Sequence, residues 1–296
     1  MMSKHTIFTG AGVALITPMK TDGSVDYDRY RELVEWQIEN GTDAIITCGT
    51  TGESSTLNHE EHIAVMKAAV EQAAGRIPVI SGTGSNDTAY CIELSLEAQR
   101  LGADALLLVS PYYNKTSQRG LVAHYTAIAD AVELPIILYN VPSRTGVDIK
   151  PETIARLAEH PRIVAVKEAN GTISSAAQVA ALCDIDIYSG NDDQVVPLLS
   201  LGGKGVISVL SNILPRQTHE ICAKWFAGDP AGSRALQLQY LELANALFTD
   251  VNPIPVKEAM NLMGMRVGEC RLPLCGMEEG ARAKLAGVLR KYGLMA

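Results

Sequence analysis

The chain has 296 residues and a formal net charge of −8, and 47% of its residues are hydrophobic and 20% charged. The length suits a single α/β barrel, and the composition is ordinary for a globular domain. The acidic balance argues against a nucleic-acid or anionic-membrane surface, because both need a basic patch and no Lys/Arg cluster occurs. No apolar run approaches a membrane span, and residues 1–10 hold no apolar stretch of signal-peptide length, so we expect a cytoplasmic protein.

Six cysteines are scattered along the chain, at Cys48, Cys91, Cys183, Cys222, Cys270 and Cys275. None forms a CxxC pair or lies at zinc-ligand spacing from a histidine, so we expect small buried hydrophobic residues without chemistry. His59 and His62 are three residues apart, whereas the HExxH zinc motif needs a spacing of four. The sequence therefore predicts no metal site.

In the first half of the chain, short apolar runs alternate with amphipathic stretches. We predict four strands, at residues 13–16, 44–47, 78–81 and 105–109. Asp26, Asn58 and Asp87 precede the first three helices as capping residues, and Glu61 completes a capping box with Asn58. Gly82-Thr83-Gly84 lacks the third glycine of a dinucleotide fingerprint, and we interpret it as a tight turn.

The same alternation continues in the second half, with four more strands predicted at residues 135–139, 163–167, 185–188 and 205–209. Alternation alone does not separate a closed barrel from an open doubly wound sheet. Eight strand–helix units in about 210 residues favour the α/β class with a (β/α)8 TIM barrel. We predict that residues 1–211 form the barrel with the active site, and that residues 212–296 form a C-terminal helical region packed on it.

The predicted carboxyl ends of the strands carry the residues on which a functional hypothesis depends, because barrel active sites lie there. These residues are Thr50, Thr51, Tyr112, Tyr113, Tyr139, Lys167, Ser189 and Gly190. They supply one amine, several hydroxyls and glycine amides, but no histidine and no carboxylate cluster for a divalent metal. Taken by itself, Lys167 could also mark the point where its strand leaves the core and reaches water.

This set of groups indicates lysine-dependent aldolase chemistry without a metal or an organic cofactor. A neutral amine in an apolar barrel mouth can attack a ketone and form a Schiff base. The protonated imine then withdraws electrons, so that a proton leaves the adjacent carbon and an enamine forms. Every step moves a proton, and a tyrosine phenol is a suitable shuttle. Neighbouring hydroxyls and loop amides suit the carboxylate of a keto acid.

Three motifs follow predicted strands in order: Gly49-Thr50-Thr51-Gly52-Glu53, the segment 139–146 (YNVPSRTG), and Val166-Lys167-Glu168. With them the chain resembles the dihydrodipicolinate synthase (4-hydroxy-tetrahydrodipicolinate synthase) family, within the pyruvate-dependent class I aldolases. The resemblance extends from residues 12–18 to residues 252–257. It implies condensation of pyruvate with L-aspartate 4-semialdehyde in diaminopimelate and lysine biosynthesis.

The resemblance also implies catalytic roles at matching positions. Lys167 would form the imine with pyruvate, and Tyr139 would donate and accept the proton beside it. Thr50 and Tyr113 would complete the proton relay, with Tyr113 reaching in from a neighbouring subunit. That arrangement fits the family's usual homotetramer, a dimer of dimers.

Substrate contacts are implied by the resemblance in the same way. Thr51 would hold the pyruvate carboxylate, the backbone of Ile207 would contact pyruvate, and Gly190 would line the pocket. Arg144 would bind the carboxylate of the aldehyde substrate, since its planar guanidinium matches a carboxylate in two-point contact.

Less specific interpretations remain open for several of these residues. Thr50-Thr51 could cap a loop, Tyr112-Tyr113 could be surface aromatics, and Arg144 could pair with a surface acid. A sister aldolase for N-acetylneuraminate or a 2-keto-3-deoxy sugar acid is the nearest alternative, although Arg144 and Thr51 favour the synthase. A non-catalytic keto-acid-binding regulator is a further alternative, and the Lys167/Tyr139 pair argues against it.

An effector site is implied as well, because lysine-inhibited family members bind lysine at a subunit interface near the second helix. The matching residues are Ser54, His59, Asn86 and Tyr112. Ser55 and Tyr90 depart from the pattern, and Tyr90 stands where an acidic partner for the ammonium is expected. Loss of that carboxylate removes a charge-assisted contact worth about 1.5–3 kcal/mol, so we expect weak or absent lysine feedback.

Overall fold

The computed structural model describes residues 5–295, and its centre is a closed barrel of eight parallel strands in sequence order. The strands are β1 Gly10–Ala14, β2 Ala44–Thr47, β3 Val79–Gly82, β4 Ala105–Val109, β5 Ile136–Asn140, β6 Ile163–Glu168, β7 Asp186–Ser189 and β8 Gly205–Ser208. Each strand pairs with the next, and β8 pairs with β1. The predicted (β/α)8 barrel is confirmed.

Helices surround the barrel and continue beyond its last strand. Within the described residues they are α1 Tyr27–Glu39, α2 His59–Ala73, α3 Thr88–Leu101, α4 Gln118–Ala131, α5 Pro142–Thr145, α6 Pro151–Leu157, α7 Ile173–Leu182, α8 Val195–Ser200, α9 Pro215–Phe226, α10 Pro230–Ala246, α11 Ile254–Leu262 and α12 Glu279–Lys291. In that part of the chain no helix combines the length and the apolar character needed to cross a bilayer.

The helix caps predicted from the sequence are present. The Asp26 and Asp87 side chains accept hydrogen bonds from the backbone N–H groups of Arg29 and Ala89. Asn58 and Glu61 form the reciprocal capping box at the start of α2. These caps are local interactions within three residues, which explains why the sequence pattern predicts them well.

The first strand begins earlier than predicted, at Gly10 rather than Val13. Gly10 pairs with Gly205 of β8, where the barrel closes. A Cβ on Gly205 would lie 1.8 Å from the carbonyl oxygen of Gly10, so the closure requires glycine at Gly205. Glycine is rare in strands, and the apolar pattern therefore misses a strand end that close backbone approach makes necessary.

The C-terminal region begins with the helix that completes the eighth strand–helix unit. Side chains of α9 share one buried cluster with the first and last strands, formed by Ala11, Val206, Ile221 and Cys222 among others. Helix α9 thus packs on the barrel wall as the other barrel helices do. The predicted division of the chain at residue 212 stays a prediction.

A buried ion pair joins the C-terminal region to the loop after β2. The ammonium of Lys257 on α11 donates to Glu53 at 2.8 Å and to the backbone oxygens of Thr17 and Glu269 at 3.1 and 2.7 Å. The second oxygen of the Glu53 carboxylate accepts from the backbone N–H of Arg271 at 2.9 Å. Every charged atom of this pair has a partner. Removing one member of such a buried pair typically costs about 3–5 kcal/mol, because the other charge is left uncompensated.

Candidate active site

Lys167 lies near the end of β6 and is only 6% exposed. Its Nζ is 4.3 Å from the centroid of the Tyr139 ring. Tyr139 and Lys167 are direct partners in the β5–β6 pairing. The lysine therefore does not leave the strand for solvent, and the less specific interpretation of its position is wrong.

The floor beneath this pair is apolar. Tyr139 belongs to a buried cluster that includes Ile137, Ala165, Tyr188 and Ile207. Ile207 is fully buried on β8, opposite Gly12 of β1. The Lys167–Tyr139 pair therefore lies against an apolar part of the barrel interior.

Asp192 is a buried carboxylate on the chain after β7. Burial raises the pKa of this carboxyl group, while hydrogen bonds from Ser208 and two backbone amides oppose that rise, and the positive charge of Lys167 also lowers it. Ser208 Oγ donates to it at 2.5 Å, and the N–H groups of Val209 and Leu210 donate at 3.1 and 2.9 Å. Asp192 thereby fixes the chain after β8 against the chain after β7.

The loop after β2 brings its two threonines to the barrel mouth. Thr51 is buried, and its Oγ1 accepts a hydrogen bond from Nδ2 of Asn252 at 2.9 Å. Thr50 is half-buried, and its backbone oxygen accepts from the N–H of Glu53 at 3.1 Å. The role of Asn252 was not anticipated from the sequence, because 201 residues separate it from Thr51.

Arg144 lies on the short helix α5, directly after the fifth strand. Its guanidinium is exposed, and Nη2 donates to the backbone oxygen of Asn252 at 3.3 Å. Arg144 and Thr51 thus contact the same asparagine, one through its backbone oxygen and the other through its side-chain nitrogen. Asn252 is therefore the link between the two predicted carboxylate-binding side chains.

Gly190 follows β7 and packs tightly against the end of β6. Its N–H donates to the backbone oxygen of Glu168 at 2.7 Å. A Cβ at this position would lie 2.5 Å from the Cβ of Ala169, so a larger residue would force the two strand ends apart. The glycine thus keeps the chain after β7 beside the strand that carries Lys167.

Tyr113 is 90% exposed, with a φ of 69° that places it in the left-handed region. The single chain therefore leaves this predicted relay residue on the surface. Its neighbour Tyr112 is partly exposed, and the Tyr112 backbone oxygen accepts from Nδ2 of Asn86 at 3.1 Å. The role predicted for Tyr113 in a neighbouring site stays a prediction.

Among the predicted effector residues, Asn86 contacts Tyr112, whereas His59 contacts Tyr90, the residue that departs from the pattern. Nδ1 of His59 lies 3.4 Å from the Tyr90 hydroxyl. Burial raises the pKa of Tyr90, and the charges of Glu93 and Tyr112 raise it further. Tyr90 therefore stays a neutral phenol. Ser54 is half-buried in the short 3₁₀ turn at residues 54–56.

A closed (β/α)8 barrel with a buried lysine facing a tyrosine near the carboxyl ends of its strands defines the class: a barrel enzyme whose chemistry can proceed through a lysine nucleophile. Within that class, the chain belongs to the dihydrodipicolinate synthetase family, whose sequence model matches residues 7–292. It is therefore an enzyme of the lyase class, and the resemblance proposed from its motifs is confirmed.

Three relatives illustrate the similarity. The 4-hydroxy-tetrahydrodipicolinate synthase of Lachnoclostridium phytofermentans is 58% identical over 98% of this chain and 99% of its own length. A solved dihydrodipicolinate synthase from Acinetobacter baumannii in complex with pyruvate is 48% identical, covers 98% of this chain and 100% of its own, and has a TM-score of 0.95. The enzyme from Cyanidioschyzon merolae with lysine bound is 41% identical, with the same coverage and TM-score.

Glu168 directly follows Lys167 and is also buried. Its carboxylate oxygens each lie 3.2 Å from Nδ2 of Asn140, and one accepts from the N–H of Asn170 at 2.9 Å. Burial raises the pKa of Glu168 to about 7, with a smaller contribution from the charge of Asp148, and the hydrogen bonds oppose the rise. The protonated form is favoured in the folded protein, which makes Glu168 a source of pH-dependent stability.

Glu168→Gln should remove part of the pH dependence of stability. The folded pKa is about 7 against an ordinary 4.5, so Glu168 stabilises the fold below about pH 4.5 and loses that contribution as the pH rises through 7. We compare the free energy of unfolding of the variant with that of the parent at each pH. The difference, variant minus parent, should rise by about 3 kcal/mol from about pH 5 to about pH 8. Urea unfolding at both pH values measures the difference, and the exposed Glu152→Gln is the control. An unchanged difference would mean that Glu168 is ionised in the folded protein at both pH values.

Proposed function

We propose that the protein condenses pyruvate with L-aspartate 4-semialdehyde, the reaction of 4-hydroxy-tetrahydrodipicolinate synthases. The observation that carries the proposal is the buried Lys167 amine held 4.3 Å from the Tyr139 ring centroid. The similarity to 4-hydroxy-tetrahydrodipicolinate synthases at 55–58% identity supports the same reaction. The product would enter diaminopimelate and lysine biosynthesis.

In the first stage, the neutral Lys167 amine attacks the ketone carbon of pyruvate, and loss of water gives a protonated imine. Tyr139 supplies a proton to the departing hydroxyl and later accepts one, since its aromatic ring lies beside the amine. Loss of a proton from the pyruvate methyl group then gives an enamine. The imine nitrogen receives the electrons, so this stage needs no added cofactor.

In the second stage, the enamine carbon attacks the aldehyde carbon of the second substrate and forms the new carbon–carbon bond. The aldehyde oxygen takes a proton and stays in the product as a hydroxyl. The amino group of the second substrate then attacks the imine carbon, closes the ring and releases Lys167. The net balance is one water released for each pair of substrates.

The binding roles in this proposal are those that the family resemblance implies. Thr51 holds the pyruvate carboxylate through its hydroxyl, and Thr50 passes protons between Tyr139 and Tyr113. The backbone of Ile207 contacts pyruvate, and Gly190 lines the pocket. Arg144 binds the carboxylate of the aldehyde, which suits an exposed guanidinium at the mouth.

Borohydride treatment in the presence of pyruvate tests the proposal directly. The reagent reduces an imine to a stable secondary amine, so we expect a pyruvyl adduct on Lys167 in the parent and none in Lys167→Ala. The exposed Lys284→Ala variant should trap as the parent does. Tyr139→Phe should still trap pyruvate but lose about 10²–10⁴-fold in turnover.

A coupled assay with aspartate semialdehyde, run beside cleavage of N-acetylneuraminate, completes this test. Faster cleavage of the sialic acid would favour the sister aldolase. Adduct formation in Lys167→Ala equal to that in the parent would contradict the mechanism, and absence of any adduct in the parent would favour a non-catalytic binder.

We further propose a homo-oligomer, a tetramer built as a dimer of dimers, in which Tyr113 enters the site of a neighbouring subunit. The support is a tyrosine ring that is 90% exposed while held in a backbone conformation that bulky residues rarely adopt. An exposed aromatic ring of this kind suits burial against another subunit. The Tyr113 hydroxyl would then complete the proton relay there.

Subunit complementation tests the shared site. Lys167→Ala and Tyr113→Phe should each be inactive alone, whereas co-expressed subunits should recover about one quarter of the parental sites, because half of random dimers are mixed and each has one complete site. Sedimentation analysis gives the assembly in parallel. A fully active monomer, or no recovery from subunits that do mix, would contradict the proposal.

Lysine feedback should be weak or absent, because the neutral Tyr90 replaces an acidic partner for the lysine ammonium. An inhibition curve with L-lysine measures this, and half-inhibition at submillimolar lysine would contradict it. We expect Tyr90→Glu to strengthen inhibition about tenfold or more by restoring a charge-assisted contact, and Tyr90→Gln to leave it unchanged. Ser54, His59, Asn86 and Tyr112 would supply the remaining contacts.

A further inference from the structure

Asn252 enters the barrel mouth from the loop between α10 and α11. It is only 6% exposed. Its side-chain Nδ2 donates to Oγ1 of Thr51 at 2.9 Å, and its backbone oxygen accepts from Nη2 of Arg144 at 3.3 Å. One residue from outside the barrel strands therefore contacts both side chains to which the proposed function assigns a substrate carboxylate.

The direction of the first hydrogen bond has a chemical consequence. A threonine hydroxyl has one proton to donate and lone pairs that accept. Because Asn252 donates to the Thr51 oxygen, the Thr51 proton is free to point toward another acceptor. A substrate carboxylate is such an acceptor, since ionised it only accepts hydrogen bonds.

The opposite orientation of the amide would have the opposite effect. With the carbonyl oxygen of the amide toward Thr51, the threonine would give its only proton to Asn252 and present lone pairs to the carboxylate. Among residues 5–295, Oδ1 of Asn252 has no hydrogen-bond partner. The side-chain amide contacts Thr51 through its nitrogen, at 2.9 Å from Oγ1.

The two contacts of Asn252 are chemically separable. The side chain acts on Thr51, so a substitution at position 252 alters that contact directly. The contact with Arg144 uses the backbone oxygen, which every amino acid supplies. A change of side chain should therefore affect the pyruvate side of the site far more than the aldehyde side.

We propose that Asn252 is a positioning residue: its side-chain amide turns the Thr51 hydroxyl proton toward the pyruvate carboxylate, while its backbone carbonyl holds the Arg144 guanidinium. The inference rests on the proposed function for the identity of the two substrates. Asn252 acts through Thr51 and Arg144 rather than on the reacting atoms.

Asn252→Asp is the most informative variant. An aspartate is close in size but only accepts hydrogen bonds when ionised, so it takes the Thr51 proton and adds a negative charge near the carboxylate. We expect the KM for pyruvate to rise about tenfold or more, with less than about a threefold change in the KM for aspartate semialdehyde. Asn245→Asp, which makes the same change at an exposed position on α10, should leave both constants unchanged.

Two further variants test whether Asn252 acts through Thr51, again by the KM for pyruvate. Asn252→Ala frees the Thr51 hydroxyl without adding charge and should give a smaller rise in the pyruvate KM. In a Thr51→Val background, the neutral Asn252→Ala change should add little, because the hydroxyl through which the amide acts is gone. An unchanged pyruvate KM in Asn252→Asp, an equal change in both KM values, or full additivity of Asn252→Ala with Thr51→Val would overturn the inference.

The pyruvate concentration that gives half-maximal borohydride trapping provides a readout independent of the condensation. If the parent traps pyruvate but does not use aspartate semialdehyde, the proposed function fails while the effect of Asn252 can still be measured. If the parent condenses both substrates and Asn252→Asp traps pyruvate with unchanged half-saturation, only the inference fails. Circular dichroism of each variant shows whether it has folded.

Discussion

The pairing register between β5 and β6 is the constraint on which the candidate site depends. The register shifts by one residue, because Ile136 pairs with Ile163 while Ile137 pairs with Ala165. Without that bulge, Tyr139 would stand opposite Val166. With it, Tyr139 stands opposite Lys167, and the aromatic ring meets the amine. Bulges are typical devices for re-aiming a side chain beside an active site.

The same register assigns opposite environments to two adjacent ionisable residues. Successive side chains of a strand point to opposite faces, so Lys167 and Glu168 cannot both face the barrel interior. Lys167 meets Tyr139, while Glu168 is held by Asn140 and Asn170. A slip of one residue would exchange them, and the hydrogen bonds to Glu168 oppose such a slip.

What could be predicted from the sequence was determined by short-range rules. Strands β2 and β4, the caps at Asp26, Asn58 and Asp87, and the alternation that gives the barrel all depend on residues a few positions apart. The lysine and tyrosine could be predicted because they terminate apolar strands. The start of β1 at Gly10 could not, since it depends on the approach of Gly205 from the far end of the barrel.

The contacts with Thr51 and Glu53 escaped prediction for the same reason, since Asn252 and Lys257 are more than two hundred residues away in sequence. The catalytic pair and the binding loop are therefore held in place by different interactions. Lys167 and Tyr139 lie on strands, so the sheet's own hydrogen bonds fix the reacting groups. Thr51 lies on the loop after β2, outside the strand pairing. Its position is set instead by Asn252 on one side and by the buried Glu53–Lys257 pair two residues further on. The C-terminal region thereby supplies to the binding loop the rigidity that the barrel supplies to the catalytic pair.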